Sequence, residues 1–122
     1  MRRAEFERLV TRALDELPPA FAGRLRNVAV LVEARPSPEV AAELGGDILG
    51  LYHGRSEIEQ SPITPYELPE VIILYQKNIE AICRTRDEVV EEVRKTVIHE
   101  IGHHFGLSDE EMEALERDAG GR

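Results

Sequence analysis

Apolar side chains recur along the first segment as Phe6, Leu9, Val10, Ala13, Leu14 and Leu17, the spacing of one helical face. Pro18-Pro19 ends that helix, because a proline ring removes an amide donor and blocks the preceding turn. The pattern then changes. Residues 27–34, NVAVLVEA, form a β-branched run suited to a buried strand. Ser37 followed by Pro38 marks a helix start, and Gly45-Gly46 closes the short helix PEVAAEL. A second strand is expected over DILGLYHG (47–54) and a third over VIILYQ (71–76), with a short helical turn in KNIEAIC (77–83). Between the last two strands lies RSEIEQSPITPYELPE (55–70), which holds three prolines and little periodicity and predicts a long loop. A long helix then runs from about Asp87 to Phe105, capped by Thr85 or Asp87. After Gly106 a last short helix begins at Ser108.

The element order predicts an α+β fold, with a small mixed sheet packed on the long helix and further helices at both ends. At 122 residues one domain, 1–122, is expected. The net charge of −9 argues against a nucleic-acid or anionic-membrane surface, since both need an excess of Lys and Arg. A lone cysteine, Cys83, excludes an intrachain disulfide and a Cys-rich zinc site. The opening MRRAEFERLV breaks its apolar run with Glu5, Glu7 and Arg8, unlike a signal peptide, so a cytoplasmic location is expected.

Candidate chemistry concentrates at the end of the long helix, in HEIGHHFGLSDEE (99–111). Successive side chains advance by about 100° around a helix. With His99 at zero, His103 lies at about 40° and Thr96 at about 60°, whereas Val90, Val97 and Ile101 lie at about 160–200°. Val93, Ile98 and Phe105 flank that apolar stripe. His99 and His103 therefore face away from the core, while His104, at about 140°, sits beside the stripe and reads as structural. Imidazoles at i and i+4 can bind one tetrahedral Zn²⁺, and Glu100 beside them is placed to take a proton from metal-bound water. Catalytic zinc normally has a third protein ligand. Gly106 reverses the chain, so that Asp109 can swing back to the metal, with Glu110 and Glu113 as alternatives. Ser108 and Glu111 also form a capping box, which makes Asp109 a helix-start carboxylate; the two roles are compatible.

The run His99-Glu100-Ile101-Gly102-His103-His104-Phe105-Gly106-Leu107-Ser108-Asp109 resembles the extended zincin pattern H-E-x-x-H-x-x-G-x-x-D. That variant occurs in snapalysin-like peptidases. With its LGLYHG strand and short C-terminus, the chain is similar to the minimal zincin-like metallopeptidase family of bacterial proteins. The resemblance implies a zinc peptidase in which His99, His103 and Asp109 bind Zn²⁺, Glu100 is the general base, and the substrate is a peptide or protein. It further suggests VIILYQ as the sheet edge that takes a peptide as an added strand; an ordinary core strand is the alternative, which the run Val71-Ile72-Ile73-Leu74 supports equally. Tyr52, His53, Tyr66 and Tyr75 are the candidate donors to a developing oxyanion. Met112 lies too close to the motif to serve as the Met-turn of the larger metzincins. The alternative function is a non-catalytic zincin-like metal-binding module, or a regulatory protein that recognises a partner peptide; Glu100, which a purely structural metal site does not need, separates the two.

Overall fold

A computed structural model describes residues 1–53 and 70–120. Helix α1 (Arg3–Asp15) buries Phe6, Val10 and Ala13, as their spacing requires, and Leu17 beyond its end is 7% exposed. The two prolines do more than stop it. Pro19 occupies the first turn of a second, short helix, α2 (Pro19–Ala22), where a missing amide costs nothing; its Phe21 is fully buried. Strand β1 (Val28–Glu33) follows, then α3 (Pro38–Leu44), whose Ser37 side chain accepts from Val40 N at 3.2 Å. Gly45, at φ 97°, ends α3 in a conformation that side chains disfavour.

Strand β2 (Gly50–His53) is shorter than its apolar run suggested. The preceding carbonyls are taken elsewhere: Asn78 Nδ2 donates to Gly46 O (2.9 Å) and Ile48 O (2.7 Å). The expected loop, 55–70, lies outside the described residues except at its end. Its last expected residue, Glu70, instead opens strand β3 (Glu70–Tyr75). Helices α4 (Gln76–Ala81), α5 (Arg86–His104) and α6 (Asp109–Gly120) complete the described chain. Thr85 is the α5 cap, accepting from Glu88 N at 3.1 Å.

The sheet is mixed, in the order β1-β3-β2, with β1 parallel and β2 antiparallel to β3. This is the α+β architecture expected. It also decides between the two readings of VIILYQ, in favour of a core strand and against the sheet edge. β3 is the central strand, paired to β1 from Val28↔Glu70 to Glu33↔Tyr75 and to β2 from Gly50↔Leu74 to His53↔Val71. Both of its rows of main-chain groups are consumed, so no peptide can add to it. Ile72 and Leu74 point from its inner face into the core. There they join α1 and the α5 residues Val89, Val90, Val93, Val97, Ile98 and Ile101 in one apolar cluster. Among the described residues, no helix is long and apolar enough to cross a membrane.

Candidate metal centre

Helix α5 presents His99 and His103 to solvent, as the wheel required, while Ile98, Ile101 and Gly102 are buried. Thr96 departs from the expected pattern. It lies on the histidine side and yet is only 8% exposed, because β2 crosses the helix there. The crossing is close. A Cβ on Gly50 would stand 2.7 Å from Thr96 Cγ2 and 3.1 Å from Ile73 O. Glycine in this strand therefore marks a close approach, where any added side chain would force the strand or the helix to shift.

Along an antiparallel strand, alternate residues turn both main-chain groups toward the partner strand or away from it. Leu49 O accepts from Tyr75 N at 3.0 Å, so the residues in phase with Leu49 face β3. Gly50 and Tyr52 consequently direct their N–H and C=O to the edge of β2 away from β3, which is free of other strands among the described residues. The Tyr52 N–H finds Glu100 Oε1 at 3.1 Å. The Glu100 carboxyl is half-buried, and its pKa is raised above the usual carboxylate range. Burial is the main cause, opposed by His103, the Tyr52 N–H and His99. A groove of ≈ 330 Å³ opens between this edge and the helix, lined by Leu49 and Gly50 on one side and Thr96, His99 and Glu100 on the other.

The end of α5 is built for a reversal. Leu107 N donates to Gly102 O (2.8 Å) and Gly106 N to His103 O (3.2 Å), with Gly106 at φ 75°, which together form a Schellman motif. Ser108 and Glu111 then close a reciprocal capping box: Glu111 N donates to Ser108 Oγ and Ser108 N to Glu111 Oε1, both at 3.1 Å. Asp109, at the first position of α6, returns so that its Oδ1 lies 3.5 Å from His103 Nε2. Glu110 and Glu113 are exposed positions further along α6.

Imidazole nitrogen and carboxylate oxygen form a donor set that suits zinc. Two donors on one tetrahedral zinc, each bonded at ~2.0–2.1 Å, lie roughly 3.3 Å apart. The His103–Asp109 pair nearly has that separation already. The His99 and His103 rings have centroids 6.2 Å apart, about 1 Å wider than two imidazoles sharing one such ion. As they stand, no three His, Cys, Asp or Glu side chains converge tightly enough for a metal among the described residues. His103 and Asp109 side chains are 60% and 76% exposed, so the donors face open solvent.

Two further side chains tie the strand to the helix. Tyr52 stacks on His104, with centroids 4.1 Å apart and planes 17° apart, and its hydroxyl donates to Glu70 Oε2 at 2.5 Å. His104 Nε2 lies 3.6 Å from Glu70 Oε1. His104 is thus no core histidine; it is a clamp between β2 and the end of α5. Phe105, expected on the apolar flank, is 47% exposed, with the Arg24 guanidinium 4.9 Å above its ring. Of the oxyanion candidates, Tyr75 is sealed in the core at 1% exposure and faces no cleft. The Tyr52 hydroxyl is committed to Glu70, and burial, then that bond, push its pKa well up. His53 is half-buried at the end of β2, and Tyr66 lies outside the described residues. The Tyr52 N–H and Glu70 were not anticipated from the sequence. The one local signal was a glycine in a strand.

No curated protein matches the chain. Among solved structures, a conserved hypothetical protein from Thermus thermophilus is similar at 28% identity and a TM-score of 0.55, over 86% of this chain and 94% of that one. The zincin-like metallopeptidase profile matches residues 25–119, from just before β1 to the end of α6, and so takes in the sheet, the groove and both histidine-bearing turns. A match over that much of its length means that the chain belongs to the zincin-like metallopeptidase family.

Proposed function

We propose that this chain is a zinc-dependent peptidase in which His99, His103 and Asp109 hold the ion and Glu100 is the general base. The observation that carries the reading is the position of Glu100. Its carboxylate sits in the groove between the imidazoles of α5 and the free edge of β2, bonded to the Tyr52 N–H at 3.1 Å. A site that used metal only to hold the fold together would need no carboxylate there and would be closed by four protein ligands.

The bound ion supplies a Lewis acid, which polarises a carbonyl and makes water more acidic. The chain's own residues do the rest. Gly50 and Tyr52 offer outward main-chain groups, to which an extended peptide can pair with little regard to its sequence. A peptide that takes the Tyr52 N–H releases Glu100 from that bond as it arrives. Glu100 then accepts a proton from the attacking water and returns it to the departing amine. The Tyr52–His104 stack and the Tyr52–Glu70 bond keep the strand edge at a fixed height above the helix.

Glu100→Gln tests the reading, because it keeps the shape and the Tyr52 contact but cannot take the proton. Zinc affinity should change little, while hydrolysis of a pool of unstructured peptides should fall by roughly 10²–10⁴-fold, the usual scale for general acid–base help. Should the wild type bind one zinc and cleave nothing in such a pool, a peptide-binding module takes the place of the peptidase.

A further inference from the structure

The geometry points to Met112 as the residue that positions Asp109 for the metal, through a notch left for it at Gly102; the inference rests on Asp109 being a ligand. Asp109 is 76% exposed, so packing around the carboxylate does not hold it in place. Its position depends on how α6 is seated on α5. The Schellman turn and the capping box fix the backbone of the corner from Gly102 to Glu111. The seat itself is Met112, which is 0% exposed and lies one helical turn after Asp109 on a neighbouring face.

Met112 fills the space that Gly102 leaves. A Cβ at Gly102 would stand 1.9 Å from Met112 Sδ, 2.7 Å from Cγ and 3.3 Å from Cε. Glycine is a poor residue for a helix interior, and this one immediately precedes His103. Truncating Met112 therefore unseats the first turn of α6 and with it Asp109, whose Oδ1 lies 3.5 Å from His103 Nε2, a separation that suits one ion. Leu107, just before the cap, belongs to the same apolar cluster as Met112, the arrangement of a hydrophobic staple. The cluster thus connects the core to the ligand carboxylate within a single turn.

Zn²⁺ affinity, measured by competition with a chelating dye on folded, metal-stripped protein, tests this in two backgrounds. In the wild-type background, Met112→Ala should weaken zinc by roughly 10-fold, the lower scale for losing a residue that supports a ligand. Met112→Leu, which restores most of the volume, should stay within about 2-fold of wild type. In an Asp109→Ala background, Met112→Ala should weaken zinc by less than about 2-fold further, since its effect runs through Asp109. Equal losses in the two backgrounds, or no loss in the first, overturn the proposal. If Asp109→Ala alone leaves zinc affinity unchanged, the ligand reading fails first, and that result is distinct from the other two. Should Met112→Ala not fold, Met112→Val, which shortens the side chain but keeps an apolar seat for α6, carries the same comparison with the same outcomes.

Discussion

Gly50→Ala tests how closely β2 is held to the site helix. The added methyl would meet Thr96 Cγ2 at 2.7 Å, where ordinary carbon–carbon contact is about 3.5–4.0 Å. The strand or the helix must therefore give way by roughly 1 Å. Ile73 O, at 3.1 Å, resists movement in the other direction, because β3 is paired on both sides. Overpacking of this kind costs about 1–3 kcal/mol. For a chain of this size that lowers Tm by roughly 4 °C per kcal/mol. The same shift stretches the 3.1 Å Tyr52 N–Glu100 bond beyond hydrogen-bonding range. Thr96→Ser supplies the control. It removes the clashing methyl and keeps the hydroxyl that donates to Glu92 O at 2.8 Å. Alone, losing a buried methyl costs about 1 kcal/mol. In the double variant the alanine methyl occupies the vacated space, so the two losses should cancel in part, with a favourable coupling of about 1–2 kcal/mol. Chemical denaturation of the four proteins measures it. Strict additivity, or a Gly50→Ala loss below about 0.5 kcal/mol, would refute the close approach.

Purified protein should hold one zinc per chain, and His99→Ala or His103→Ala should abolish it; retention of full stoichiometry under chelator challenge counts against the ligand assignment. Stripping the metal should lower stability by about 2.7 kcal/mol relative to protein held at 100 times the zinc dissociation constant, as read from denaturation curves. His104→Leu should leave zinc content intact but cost about 0.5–1.5 kcal/mol through loss of the Tyr52 stack, and loss of metal from a folded variant would contradict the clamp. Burial, with Glu92 and Glu88 adding to it, raises the pKa of the Cys83 thiol, so less thiolate is present at any given pH near 8. Cys83 should accordingly alkylate more slowly than a free thiol at pH 8 and gain rate as pH rises; a rate at or above the free thiol's would show that the group is not shielded.

Local order along the chain was legible because its causes are local. The face of α1, the Ser37-Pro38 start of α3, the Thr85 cap and the Gly106 reversal each depend on residues within a few positions of one another. The same holds for His99 and His103 projecting from one helix face, and for the Ser108–Glu111 box that starts α6 at Asp109. What only the tertiary structure decided is which distant segments meet. An apolar run such as VIILY reports burial but not which strands lie beside it, so edge and core positions were equally open to it, and only the fold puts β2 rather than β3 at the edge of the described sheet. The helical wheel placed Thr96 on the solvent side because periodicity records one buried face, whereas β2 covers a second. His104 had an apolar address on the wheel, but its stacking partner, Tyr52, stands on a strand far earlier in the chain. The Tyr52 N–H was invisible for the same reason. Every residue but proline carries that donor, and only the packing of a strand against a helix selects the one that meets Glu100.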